Sequence, residues 1–183
     1  MLTDARGGVG GNLPGGHAVG QLLFYTGPSK AFASGKRVTH GQQGEVVGAA
    51  TGGSHKGKRL KILFPGIEAR IDISLTELSA SAPPPLPGGH TLGQLLFFTG
   101  PSQAFDDGDR LTHGQQGEVV GPAMSEAKKG KGLAMLFPGN KFQCLLTNLS
   151  ASAPPPLPGG HKLGQLLFFT GPSHAFDDGD RLT

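Results

Sequence analysis

Gly93 to Gly121 reads GQLLFFTGPSQAFDDGDRLTHGQQGEVVG, and the chain says most of it again elsewhere. Gly164 to Ser173 is the same GQLLFFTGPS, and Gly20 to Ser29 differs from it only by Tyr25, which stands where Phe98 and Phe169 stand. Thr39 to Gly48 and Thr112 to Gly121 are both THGQQGEVVG. Leu-Pro-Gly-Gly-His begins at Leu13, Leu86 and Leu157, at spacings of 73 and 71 residues. Identity at this level within one chain means tandem duplication of one module.

The two-residue difference can be placed. Leu13 to Phe64 and Leu86 to Phe137 have the same length, after which copy one runs FPGIEARIDISLTELS and copy two FPGNKFQCLLTNLS. The insertion therefore belongs to a hairpin tip after Phe-Pro-Gly, where added length covers no core. Pro then Gly suits the two central positions of a type II turn, since Pro fixes φ and Gly accepts a positive φ.

Within copy two, Gln94 to Thr99 is an apolar, aromatic run of strand length between glycines, read as a strand buried on both faces. Arg110 to His113 is read as a short strand after the acidic turn Asp106 to Asp109, and Gly114 to Gly117 as a hairpin connection to Glu118-Val119-Val120. Gly132 to Phe137 and Phe142 to Leu149 form the next pair, with a polar loop at Ser125 to Lys131. About five short strands in so few residues make a small all-β domain. Ser79 to His90 and Ser150 to His161 are both SASAPPPLPGGH, whose prolines favour a semi-rigid polyproline II linker. The organisation expected is a Gly-rich disordered segment 1–12, repeat one with its linker at 13–85, repeat two with its linker at 86–156, and a partial repeat three at 157–183. The incomplete third copy is expected either to cap copy two or to belong to a longer array. The first strand of each copy could complete its own sheet or that of the preceding copy.

Composition narrows the class. The 183 residues include 32 Gly and 15 Pro, with hydrophobic residues at 36% and charged residues at 16%. Such Gly and Pro content opposes a helical bundle or coiled coil. No apolar run reaches the roughly 18 residues of a membrane helix, and the first twelve residues are not a secretory signal. One cysteine, Cys144, forbids an internal disulfide, and a reducing intracellular compartment such as the cytoplasm is expected. The net charge of +3 is uneven: residues 13–85 hold eight Lys or Arg against four Asp or Glu, while 86–156 hold five of each.

GDRLTHGQQGEVVG (Gly108 to Gly121) resembles the first hairpin of KOW-type SH3-like barrels. GLAMLFPGNKFQCLLTNLS (Gly132 to Ser150) is similar to the second hairpin of Tudor-like barrels. The resemblance covers 14 and 19 residues and implies tandem SH3-like small barrels joined by Pro/Gly-rich linkers, the third copy incomplete. Tudor-type readers hold methyl-lysine in an aromatic cage. The matching hairpins here offer Phe64 or Phe137 but no Trp, so no cage is expected. KOW-type barrels bind RNA or protein through basic loops, which implies Lys56, Lys58, Arg59 and Lys61 in copy one as phosphate contacts, with Lys128, Lys129 and Lys131 in copy two.

Catalytic and cofactor motifs do not assemble. Gly52 to Lys58 nearly matches a phosphate-binding loop, but Arg59 stands where the metal-binding hydroxyl belongs and a strand follows instead of a helix. The DDGD turns lack the bidentate Glu of a calcium loop. The seven histidines show no paired metal-ligand spacing. Ser102 and Ser173 lack a nucleophile elbow. No enzyme and no cofactor is expected. The expected function is a non-catalytic interaction or scaffold module that binds another protein. Its contact surface is placed at His40, Gln42, Gln43 and Glu45 in copy one and at His113, Gln115, Gln116 and Glu118 in copy two. Weak nucleic-acid binding through the basic loops, or service as an accessory piece of a larger multidomain protein, are the alternatives. No membrane partner is expected, and these residues do not specify an oligomeric state.

Overall fold

The computed structural model describes residues 13–32, 35–51, 57–106 and 108–155. Each run expected to be a strand contains one, and the described residues are all-β, their only helical elements being three-residue 3-10 turns. Residues 157–183, the third partial repeat, lie outside the described residues, as do 1–12.

Copy one contributes β1 (Leu22–Tyr25), β2 (Lys30–Ala31), β3 (Arg37–Val38), β4 (Gln43–Ala49), β5 (Arg59–Leu63), β6 (Ile71–Ser74) and β7 (Leu78–Ser79). Copy two contributes β8 (Leu95–Phe98), β9 (Gln103–Ala104), β10 (Arg110–Leu111), β11 (Gln116–Pro122), β12 (Gly132–Leu136), β13 (Lys141–Leu145) and β14 (Leu149–Ser150). The antiparallel sheets repeat strand for strand: β6-β5-β4-β1-β7 in copy one and β13-β12-β11-β8-β14 in copy two. Each first strand therefore lies in the sheet of its own copy. The pairs β2-β3 and β9-β10 form separate two-stranded sheets.

Three expectations are corrected here. Arg110 to His113 does not hairpin with Glu118 to Val120. Gly114 takes a positive φ of 80°, and the Gln115 amide donates to the Thr112 carbonyl at 3.0 Å. That turn sends β10 away to pair with β9, leaving β11 between β8 and β12. The first strand is also not buried on both faces. Leu23 and Tyr25 point into the core, while Leu22 is 53% exposed and its counterpart Leu95 55% exposed. A strand sends alternate side chains to opposite faces, and one small module covers only one of them. The run Phe142 to Leu149 is likewise divided: after β13 a 3-10 turn at Leu146–Asn148 carries the chain across to β14, which pairs with β8.

The Pro-Gly turns form as their chemistry requires. Gly66 and Gly139 have φ of 79° and 92°, and the amides of Ile67 and Asn140 donate to the Phe64 and Phe137 carbonyls at 3.0 and 3.1 Å. The length difference lies at this hairpin tip, between β5 and β6 in copy one and between β12 and β13 in copy two.

Two cores result, one per copy. Leu23, Tyr25, Val38, Val46, Leu60, Ile62, Phe64, Ile67 and Ile73 fill the first. Leu86, Leu96, Phe98, Leu111, Val119, Leu133, Met135, Phe137 and Cys144 fill the second. Tyr25 meets Phe64 edge-on at 6.3 Å and Phe98 meets Phe137 edge-on at 6.5 Å, so the same ring pair anchors both. The linkers lean back on the copy they leave: Pro83 lies beside Gly41 and Pro154 beside Gly114.

Copy one meets copy two along one strip. The Ser29 amide donates to the Val120 carbonyl at 2.7 Å, and Lys141 Nζ donates to the Ser29 carbonyl at 2.7 Å. Arg37 pairs with Glu118 at 3.2 Å. Ser29 is only 3% exposed as a result. Burial first, then the nearby charges of Lys30 and Arg37, hold the Lys141 ammonium below the usual lysine range.

A Cβ added to Gly117 would lie 2.7 Å from Phe137 Cδ1, and one added to Gly44 would lie 2.5 Å from Ile62 Cγ2. Gly117→Val is expected to destabilise the protein by about 1–3 kcal/mol through overpacking, read as a lower midpoint in urea. Burial pushes the Cys144 thiol up to about 11 from 9.0. At pH 8 that alone cuts the thiolate about a hundredfold. Native protein is therefore expected to resist iodoacetamide and to be alkylated rapidly in urea, which makes Cys144 a reporter for opening of copy two.

Candidate functional site

The outer face of each sheet carries the same row of side chains. Leu22 in β1 sits opposite Glu45 in β4, and Glu45 sits opposite Leu63 in β5. In copy two Leu95, Glu118 and Leu136 occupy the same rung across β8, β11 and β12. The leucines flank the carboxylate at one strand spacing on either side, so the row is about 10 Å wide. Leu136 is 42% exposed, and Glu45 is exposed as well. Apolar side chains that the core does not use and that recur on one face are what a binding surface looks like.

Each row forms one side of a groove whose other side is the Pro-Gly turn. In copy one the groove holds about 700 Å³ and is lined by Leu22, Gln43, Glu45, Leu63, Pro65 and Glu68 among others. In copy two it holds about 430 Å³ and is lined by Leu95, Gln116, Glu118, Leu136 and Pro138 among others. Gly44 and Gly117 also line the grooves, and the missing Cβ of each lets Phe64 or Phe137 pack directly against the strand. The longer tip of copy one adds Ile67 and Glu68 to the wall. The insertion found in the sequence thus enlarges one groove relative to the other.

The grooves also differ in charge. Glu118 in groove two is already paired with Arg37 from copy one. Glu45 has no ion-pair partner among the described residues. Glu68 is almost fully exposed and reaches Lys36 only at 3.8 Å. Groove one is therefore the more acidic and the larger of the two.

The eight residues expected at the contact surface divide by role. Gln43, Glu45, Gln116 and Glu118 line the grooves. The other four hold turns together. Gln42 and Gln115 accept from the amides of Thr39 and Thr112 at 3.0 and 3.1 Å through their side-chain oxygens. His40 Nδ1 contacts the carbonyls of Thr26 and Gly27, and His113 Nδ1 that of Gly100. Sequence reasoning missed Leu22, Leu63, Leu95 and Leu136, which it assigned to core strands.

The expected phosphate contacts are spread out. Lys56 lies outside the described residues, and Lys58 is exposed. Arg59 begins β5, half-buried. Lys61 lies 3.7 Å from Asp72. Lys128 Nζ donates to the Gln143 carbonyl, Lys129 lies 3.9 Å from Glu126, and Lys131 is exposed. Among the described residues no three His, Cys, Asp or Glu side chains gather as a metal site would need. No described helix is long and apolar enough to cross a membrane.

No protein-family model matches the chain, and no curated protein matches it.

Because Leu22 and Leu95 contact solvent, Leu22→Ser and Leu95→Ser are expected to shift stability by no more than about 0.5 kcal/mol. Leu23→Ser and Leu96→Ser, one residue along on the core face, are expected to unfold their copies. Parallel urea titrations of the four variants check this.

Proposed function

We propose that this protein is a non-catalytic tandem-repeat interaction module whose two grooves bind extended segments of a partner protein. The observation that carries the reading is the duplicated Leu-Glu-Leu row, Leu22-Glu45-Leu63 and Leu95-Glu118-Leu136, which lies beside a groove in each copy with Leu22, Glu45, Leu95 and Leu136 exposed and Leu63 and Glu118 half-buried. Each copy is proposed to be an SH3-like small barrel. In support, the last short strand pairs back onto the first, after a 3-10 turn at Leu75–Glu77 or Leu146–Asn148.

The chemistry selects the ligand class. Groove volumes of a few hundred cubic ångströms suit a few side chains at a time. Leucines on both sides of a carboxylate call for apolar side chains with a Lys or Arg among them. Two grooves in one chain allow two linked contacts, so a partner with two such segments gains from effective concentration. Nucleic acid is the weaker reading, because Lys61, Lys128 and Lys129 have partners within their own copies and the grooves are lined by carboxylates.

Panning the intact chain against a displayed library of random peptides tests this. Peptides with apolar residues next to Lys or Arg are expected to be enriched, and binding is expected to fall at least tenfold in the Leu22→Ser, Leu95→Ser double variant. Absence of enrichment, or enrichment that ignores both leucines, would sink the proposal.

A further inference from the structure

The strip between the two copies has two different halves, and each copy carries both. The first half is Pro28, Ser29 and Arg37, supplied by copy one. The second half is Glu118, Val120, Gly121 and Lys141, supplied by copy two. By the repeat, copy two owns the first half again as Pro101, Ser102 and Arg110, and copy one owns the second as Glu45, Val47, Gly48 and the basic Arg70.

The uncharged residues of these second sets, and Glu45, are more exposed than their counterparts in the strip. Ser29 is 3% exposed, but Ser102 is an exposed residue. Val120 is buried, whereas Val47 is half-exposed. The receiving half is also preformed. A bulge interrupts β11 between Val119 and Gly121, where the Val120 carbonyl accepts from Ser29, and the same bulge interrupts β4 between Val46 and Gly48. Gly48 and Gly121 have φ of 155° and 154°. At Gly121 a Cβ would meet Pro28 Cα at 2.7 Å, while at Gly48 nothing lies within 4 Å. Copy one thus holds the shape that receives Pro28 and Ser29 in copy two, with no described residue in it.

We propose that the chain assembles with further copies of itself, head to tail, by seating Pro101, Ser102 and Arg110 of one molecule against Glu45, Val47, Gly48 and Arg70 of the next. The Ser102 amide donates to the Val47 carbonyl, Arg70 to the Ser102 carbonyl, and Arg110 pairs with Glu45. The interface is heterologous, so the assembly extends rather than closing as a two-fold dimer. It goes beyond the peptide-binding reading and does not need it: Glu45 is the one side chain the two share.

Sedimentation velocity of the full chain across a concentration series tests this. The wild type is expected to show species beyond a dimer as concentration rises. Arg110→Glu and Glu45→Arg are each expected to weaken association at least tenfold, since each sets like charges against each other. Both leave the Arg37–Glu118 pair intact, so unfolding midpoints are expected to match the wild type. An equimolar mixture of the two variants restores opposite charges at every junction and is expected to regain assembly. A wild type that stays monomeric at millimolar concentration overturns the inference, and so does association that neither variant weakens or that the mixture fails to recover.

Discussion

A strand has two faces, and a module of this size can bury only one of them. About 60 residues cover roughly 60% of the surface their unfolded chain exposes, so a second core layer is out of reach. Everything else in each copy follows from which face is chosen. Leu23, Tyr25, Val46 and Ile62 go inward, and their neighbours Leu22, Glu45 and Leu63 are sent outward together by the pleat. Copy two makes the same choice with Leu96, Phe98, Val119 and Met135 inside and Leu95, Glu118 and Leu136 outside. The inward set explains the fold. The outward leucines have no role in it, and that is why they carry the functional reading.

The copies have diverged where divergence had to be compensated. Tyr25 replaces Phe98, and its buried hydroxyl donates to the Pro28 carbonyl at 2.8 Å. Lys30 pairs with Glu77 at 2.8 Å and lies 5.5 Å from the centre of the Tyr25 ring. In copy two the same three positions are Phe98, Gln103 and Asn148. Burial first, and then the Glu77 charge, drive the Tyr25 phenol far above its ordinary range, so it stays a neutral donor. A buried hydroxyl without a partner would cost about 1–3 kcal/mol, and a lone Glu77 beside it would repel any phenolate. The three differences therefore form one unit. Read singly in the sequence, Tyr25 and Glu77 look like unrelated drift.

The sequence shows the local features well because they depend on neighbouring residues. Pro-Gly at 65–66 and 138–139 dictates its own turn, and the repeat phase alone locates the insertion at that turn. What it conceals depends on partners far along the chain. The Arg110 to His113 segment looks like half of a hairpin with Glu118 to Val120, yet it pairs with Gln103–Ala104, because the Thr112-to-Gln115 turn redirects it. QLLFFT looks buried on both faces because hydrophobicity does not report which side a neighbour covers. The glutamines of each Gln-Gln pair look equivalent, but the first folds back on a backbone amide and only the second reaches the groove.

The contact between the copies gives the repeat its direction. Ser29 meets Val120 and Arg37 meets Glu118, so each copy uses one side to give and another to receive. A contact of this kind does not exhaust itself when two units meet, as a two-fold contact would. The bulge that receives it is built into β4 as well as β11, although β4 has no preceding copy among the described residues. A bulge leaves a carbonyl outside the ladder and bends the strand that carries it, and in β11 the Ser29 amide takes that carbonyl. Both copies therefore share the bend, and copy two also uses it for the contact with copy one. That same contact places Arg37 against the carboxylate of groove two, so the order of the two copies sets which groove keeps a carboxylate with no ion-pair partner among the described residues.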